Sequence, residues 1–319
     1  MGQPTSGDVH VDEALTDFSI AYIQLATNFV AGKALAVKPV DKKSDKYFVF
    51  NKDDWNRDDS VKKRAPGERA PRSGFRLSTQ SYDADAWWTE CPLSDMVQVN
   101  ADQGLALDVA CTKLVTQRCL IRRERQFVST FMVGSVWGTT VTGGTDFTKW
   151  DDYSSDPQKD IDTGKKAVWE NTSFVPNKFI VSYPIHQALK RHPAIKDMIK
   201  YTSSESVTAE IIAKYLEVDE YLVMYAIYNT ALEGLAGSYT GINMTSALLL
   251  YNDGDPSLMS PCAGALFAWT GLTAFNESGV AIEQYYDVTT KDDVVRGQFA
   301  HDMEITGSAL GYYYATAVS

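Results

Sequence analysis

Lys46-Tyr47-Phe48-Val49-Phe50 and Gly74-Phe75-Arg76-Leu77-Ser78-Thr79, the second continuing toward Tyr82, are two strand-like runs flanking a polar segment that holds Pro66 and Pro71. Aromatic and β-branched residues mark both runs, and the stretch from Asn51 to Ser73 has the composition of an open loop. Together they read as one extended hairpin, Asp41 to Pro92, with a long charged tip. Lys62, Lys63, Arg64, Arg69 and Arg72 face only Glu68 there, so the tip is basic. Two strands alone are marginally stable in water. Such an arm needs a surface to lie on.

Outward from the arm, residues 100–131 change to helical spacing. Leu107, Leu114, Ile121 and Val128 recur every seven residues, with Ala110, Cys111 and Phe131 beside them. About 30 residues at 1.5 Å each make a rod of roughly 45 Å, long for a globular helix. Arg118, Arg122, Arg123, Glu124 and Arg125 fall largely off the apolar stripe and read as a solvated face. Ahead of the arm, Asp17 to Ala31 reads as an amphipathic stretch, with Ile20, Ile23, Ala26, Phe29 and Val30 on one side.

Beyond the long helix, a Gly- and Thr-rich connector leads into alternating elements. A helix starts at Asp156-Pro157 and runs to Asn171, with Pro at a first-turn position. A strand follows at 178–182, then helices at 185–191, 193–199 and 208–216, and strands at 221–227 and 246–251 separated by a Gly-rich loop, Glu233 to Asn243. This is a mixed α/β unit. Period-two alternation returns at the C-terminal side: Val295, Gly297, Phe299, His301, Met303 and Ile305 alternate with Arg296, Gln298, Ala300, Asp302 and Glu304. Val280 to Val288 is the hairpin mate of this strand, and a last strand begins at Gly311.

The 319 residues allow one sizeable core, and 30 basic against 41 acidic side chains give a net charge of −11. That balance argues against a protein whose main task is gripping phosphate backbones. The most apolar run, Ala263 to Phe275, is short and broken by Gly264, Thr270 and Gly271, so no membrane span is expected. Cys91, Cys111, Cys119 and Cys262 form no CxxC pair. Cys111 and Cys119 lie about 80° apart around a helix and about 12 Å along it, and all four cysteines read as reduced thiols.

No pattern of catalytic, cofactor-binding or metal-ligating residues stands out. HExxH, a strand-linked GxGxxG and CxxC are absent, and Asp162-Thr163-Gly164-Lys165-Lys166 matches only the tail of a phosphate loop. His192 before Pro193 reads as packing a helix break, His301 as lying on the apolar face of a strand, and Cys262 as a packing thiol. The expectation is a protein that is not an enzyme, with no cofactor and no metal.

The order of these parts resembles the α+β fold of the tailed double-stranded-DNA bacteriophage major capsid proteins, shared with encapsulins. Local sequence agrees along nearly the whole chain. Arg64-Ala65-Pro66-Gly67 in the arm, Arg122-Arg123-Glu124 in the long helix and Val136-Trp137-Gly138-Thr139 ahead of Trp150-Asp151 are similar to that family. So are Pro176-Asn177 before a strand, followed by Leu189, His192-Pro193 and Ile199-Lys200. Tyr228-Asn229-Thr230-Ala231 with Glu233-Gly234, and Ser257-Leu258-Met259-Ser260-Pro261 with Gly264, complete the set.

The resemblance implies an N-terminal arm (1–40), an extended loop or E-loop (41–92), a peripheral domain of spine helix plus β-hairpin (93–149 and 280–305), and an α/β axial domain (150–279 and 306–319). It implies a shell subunit assembling through hexamers and pentamers around packaged double-stranded DNA, without sequence-specific DNA binding or membrane contact. Expected inter-subunit contacts are Lys62, Lys63, Arg64, Arg69, Arg72, Phe75, Tyr82, Trp87, Glu233 and Tyr239. Expected partners are further copies of the chain, a portal, a cement protein and, because only about forty residues precede the arm, a separate scaffolding protein or none, with no large maturation cleavage. Lys62 or Lys63 is the candidate for a covalent Lys–Asn cross-link, with no partner Asn identified. The location implied is the virion capsid, after synthesis in the host bacterial cytoplasm. The alternatives are an encapsulin-type compartment and, remotely, a cytosolic hydrolase using Cys262 or His301.

Overall fold

The structure, a computed structural model, describes residues 23–50, 52–67, 69–100, 106–200, 208–254, 259–271 and 280–319. In chain order the helices are α1 (Ala31–Ala34), α2 (Lys52–Trp55), α3 (Asp95–Val99), α4 (Leu107–Phe131), α5 (Pro157–Thr172), α6 (Tyr183–Arg191), α7 (Pro193–Lys200) and α8 (Ala209–Tyr215). The strands are β1 (Ala36–Val40), β2 (Ser44–Phe50), β3 (Leu77–Asp83), β4 (Asp85–Ser94), β5 (Thr139–Thr142), β6 (Lys178–Ser182), β7 (Glu220–Met224), β8 (Ile227–Asn229), β9 (Tyr239–Gly241), β10 (Ala247–Leu250), β11 (Ala265–Trp269), β12 (Ala281–Asp287), β13 (Asp292–Glu304) and β14 (Gly311–Ala315).

The first sheet is built on β13. Along one edge it pairs antiparallel with β4, from Asp292↔Ser94 to His301↔Asp85. Its other edge takes β12 over its first half and β11 over its second, and β11 in turn pairs with β1 in parallel. The expected alternation holds for most of the strand: Val295, Gly297, Phe299, His301 and Met303 are buried and Arg296, Gln298, Asp302 and Glu304 partly open, but Ala300, expected on the open face, is buried and Ile305 is only half-buried.

The buried face of β13 lies under α4. Cys111 packs with Val295, Val115 crosses Gly297, Cys119 and Leu120 meet Phe299, and Phe127 shares a cluster with Met303. Four helical residues advance about 6.0 Å and two strand residues about 6.6 Å, so the helix and strand repeats stay nearly in step. This corrects the seven-residue stripe. The buried row is Cys111, Val115, Cys119, Arg123, Phe127 and Phe131, and Leu114 is exposed. Arg123 and Glu124 are also buried, not on a solvated face.

A second sheet runs β5-β14-β10-β6-β7, with the β5–β14 and β6–β7 pairs parallel. All five residues of β6 are buried, as a continuous apolar strand covered on both faces should be. One face, with Phe179, Val181, Leu249 and Tyr314, meets Trp150, α5, α6 and α8. The other, with Ile180, Leu248 and Tyr313, meets Phe127, Phe131 and Leu35, so the C-terminal end of α4 joins the two sheets. Helix starts follow the sequence: Asp156 caps α5 ahead of Pro157, Ser182 caps α6 and Thr208 caps α8.

Several expectations change. Of Asp17 to Ala31, residues 17–22 lie outside the described residues. Its remainder is a single 3-10 turn, Ala26–Asn28, with Ile23 exposed and Phe29 and Val30 in the core. The hairpin ends at Asp83, since Asp85–Ser94 is β4 of the first sheet. β5, expected in the peripheral unit, belongs to the second sheet, and β1 and β11 belong to the first. These pairings join residues more than a hundred positions apart, which local periodicity does not encode. The thiol reading is corrected too: Cys91 and Cys111 form a disulfide, while Cys119 and Cys262 are free and buried.

The α4–β13 contact requires a glycine. A Cβ on Gly297 would sit 2.2 Å from Val115 Cγ1 and 3.3 Å from Cys119 Sγ. We expect Gly297→Ala to destabilise the fold by about 1–3 kcal/mol in denaturant unfolding. Adding Val115→Ala should recover part of that loss, and a second change that only adds to the damage would contradict this packing.

Candidate assembly surfaces

The β2–β3 hairpin is a bare two-stranded ribbon, paired from Ser44↔Asp83 to Phe50↔Leu77. Most of its side chains are exposed. Its root is fixed to the body. The Phe267 ring of β11 stacks on Tyr82 at 4.7 Å and meets Tyr47 at 5.2 Å. The Tyr82 hydroxyl donates to the Lys42 carbonyl (3.3 Å), and the Asp83 amide donates to Asp302 Oδ2 (2.8 Å).

The far end carries its own small cluster. Phe50, Trp55 and Phe75 have centroids 5.8–6.2 Å apart, and Trp55 and Phe75 remain more than half exposed. Arg76 closes it, donating to Asp54 from its amide (2.8 Å), Nε (3.0 Å) and Nη2 (3.0 Å). Those bonds hold the Asp54 carboxyl below the usual carboxylate range. Lys52 Nζ donates to the Asn171 carbonyl at the end of α5 (3.4 Å), which ties this end to the body. Lys62, Lys63, Arg64, Arg69 and Arg72 lie further out, all exposed.

A second surface is the β8–β9 turn. Asn229 Oδ1 accepts from the Ala231 and Ser238 amides (3.0 and 2.9 Å) and shapes a loop that exposes Leu232, Glu233, Leu235 and Tyr239. The Gln24 side chain pairs with the backbone of Ile227 in both directions, at 2.8 and 3.0 Å. Arg125 of α4 lies 4.6 Å from the Tyr228 ring.

Between these surfaces lies a buried polar site. The Glu124 carboxylate accepts from the Val30 amide (3.0 and 3.1 Å) and the Ala31 amide (2.9 Å), so it caps α1 and pins the N-terminal segment to α4. Burial pushes its pKa up to about 7, against the opposing pull of those amides and of Arg123. Burial lowers the Arg123 pKa, and a methyl on Gly32 would meet its Nη2 at 3.3 Å.

Burial, with Arg123 nearby, holds His301 down to about 3, and His301 Nε2 lies 3.1 Å from Gln126 Oε1. Burial raises the Cys262 thiol. Neither residue is poised as base or nucleophile. His192 packs the helix break as expected, taking the Ala194 amide on Nδ1 (3.3 Å) with Nε2 3.2 Å from Ser155 Oγ.

The ten expected contact residues therefore divide. The five tip cations, Phe75, Glu233 and Tyr239 are exposed on the hairpin or the β8–β9 turn. Tyr82 and Trp87 instead face their own chain: Tyr82 lies against Phe267, and Trp87 lies under Arg122 at 4.1 Å, beside Phe299. Trp88, its neighbour on the opposite face of β4, is the exposed one. Phe50 and Trp55 were missed by sequence reasoning. The signal was an aromatic residue just past the first strand run, set against Phe75 at the start of the second.

No protein-family model matches the chain. The major capsid protein of Burkholderia phage BcepMu is 26% identical over 228 residues, covering 68% of this chain and 70% of that protein. A phage-related protein of Bordetella bronchiseptica superposes with a TM-score of 0.69 at 22% identity, covering 93% of this chain and 94% of its own. The capsid structure of cyanophage P-SCSP1u superposes at 0.62 with 10% identity, covering 98% and 94%. The fold is that of the tailed-phage capsid proteins. The chain is thus similar in sequence to a phage major capsid protein and has the tailed-phage capsid fold.

Glu124 gives a pH test. A folded pKa of about 7, raised from 4.5, means its contribution is complete below the ordinary range and is lost as pH rises through about 7. Thermal or denaturant unfolding of wild type and Glu124→Gln between pH 5 and 8 should diverge in favour of the variant, by up to about 3 kcal/mol. Parallel profiles would mean that Glu124 does not titrate in this range.

Proposed function

We propose that this chain is the repeating subunit of an icosahedral phage shell, assembled through hexamers and pentamers around packaged double-stranded DNA. One observation carries the reading furthest: a ribbon clamped at its root ends in an exposed aromatic cluster and a run of cations. A neighbouring copy lying under that ribbon would cover the cluster and give the tip an acidic surface, on a chain whose net charge is −11. Obligate contacts of this kind commonly bury about 2,000–5,000 Å². Exposed ion pairs are worth about 0–1 kcal/mol each, so covered area holds the shell while charge sets register.

In this reading the first sheet with α4 is the peripheral unit and the second sheet the axial unit, with the β8–β9 turn at the five- and six-fold axes. The net acidity suits an inner wall that binds DNA without sequence preference and does not trap it during packaging. The subunit is made in the host bacterial cytoplasm and ends in the virion. A separate scaffolding protein, a portal and a cement protein are its partners besides further copies.

Deleting residues 62–72 should leave the circular dichroism and melting of the subunit unchanged while closed particles disappear from gel filtration and electron micrographs. Closed particles of normal size from the truncated chain would refute this role. Wild-type particles should yield double-stranded DNA on extraction when the packaging system is present, and a co-purified enzyme in its place would point to a cargo compartment. Trp55→Ser with Phe75→Ser should lower particle yield at least tenfold without unfolding the subunit, read by the same two measurements.

A further inference from the structure

The Cys91–Cys111 bond joins the first turns of α4 to β4, across a corner where Leu93, Cys111 and Val295 are also buried together. Cys91 stands opposite Val295 on β13, Cys111 lies one turn into α4, and their Cα atoms are 5.7 Å apart. The bond spans 20 positions of chain that include α3, whose Met96 and Val99 are exposed. Besides the bond, α3 is tied by the Asp95 amide donating to the Lys291 carbonyl (3.2 Å) and by side-chain contacts: Tyr286 Oη donates to Asp95 Oδ2 (2.8 Å), and Gln98 Nε2 donates to Asp293 Oδ2 (2.9 Å) and the Leu93 carbonyl (3.4 Å). Exposed side-chain contacts contribute little in water.

Cys91, half-buried, and Cys111, buried, are the two cysteines placed to bond each other. Cys119 and Cys262 are buried and unpaired, and burial pushes the Cys119 thiol up to about 11. Leu93, Leu107 and Val295, which pack around Cys91 and Cys111, also line a neighbouring cavity of about 460 Å³, so one layer of side chains separates the pair from that space.

We propose that Cys91 and Cys111 form a redox-set lock, a dithiol while the subunit is made and assembled, and a disulfide once the particle leaves the reducing cytoplasm. The proposal rests on the shell reading for its two compartments. The step is thiol–disulfide exchange with a low-molecular-weight disulfide. One cysteine thiolate attacks it, releasing one small thiol and leaving a mixed disulfide. The second cysteine then displaces the other small thiol. The protein pair loses two electrons and two protons, and the small disulfide gains both. Closure fixes the head of α4 to β4 and restricts the unfolded chain, so it stabilises the finished particle without taking part in building it.

The test divides the cells before lysis: one portion is lysed in excess iodoacetamide, and the other is lysed without it and its particles are equilibrated with oxidised glutathione. Peptide mass spectrometry should find Cys91 and Cys111 alkylated in the trapped portion and linked to each other in the oxidised one. The thermal midpoint should rise by roughly 3–6 °C on oxidation. Cys91→Ser with Cys111→Ser should give particles in normal yield that lack this shift. A pair already linked at lysis, a pair still free after oxidation, or equal midpoints in both states would overturn the lock. Failure of wild-type chains to form particles would count against the shell reading instead, and the same alkylation and melting on the soluble subunit would then decide the lock.

Discussion

The seating of α4 on β13 is the constraint on which the rest of the molecule depends. A 25-residue helix and a 13-residue strand run together because a four-residue step on one nearly matches a two-residue step on the other. Gly297 gives the clearance where Val115 crosses, and the aromatic pair Phe127–Phe131 at the end of the row reaches into the second sheet. One helix thereby shares in both cores. The N-terminal segment, held by Glu124, and the hairpin root, held by Phe267, are fastened to the frame this contact creates.

The hairpin shows how anchoring and exposure are divided within one element. Its root is stacked and hydrogen-bonded into the first sheet, while its far end keeps an aromatic triangle and a bidentate Arg76–Asp54 pair without a covering layer. The triangle keeps a local shape because its three rings pack on one another. It remains a poor terminus for a protein that works alone, since large apolar rings exposed together favour association.

Much of this was legible in the sequence. The strand at 178–182, the capped helix from Asp156-Pro157 and the alternation through Val295–Met303 were all readable because each signal is local. The hairpin was readable for the same reason, but not its end, because Asp85–Ser94 pairs with a strand some two hundred residues away. The buried Arg123–Glu124 pair was hidden because charge at helical spacing describes a solvated face unless a distant backbone, here Val30 and Ala31, supplies donors. The Cys91–Cys111 bond was hidden likewise, since neither residue shares a local motif and only the strand-to-helix packing brings them together. Tyr82 and Trp87 read as surface aromatics until Phe267 and Arg122 are placed over them.

The two-stranded ribbon between the clamp and the triangle has a mechanical consequence. Among the described residues no third strand pairs with it, and a two-stranded ribbon is easily twisted about its long axis. A closed surface made from one kind of tile must let identical tiles meet at more than one dihedral angle, at corners and on flats. In the shell proposed above, a torsional spring fixed at one end and adhesive at the other would absorb that variation and leave both sheets of the tile undistorted.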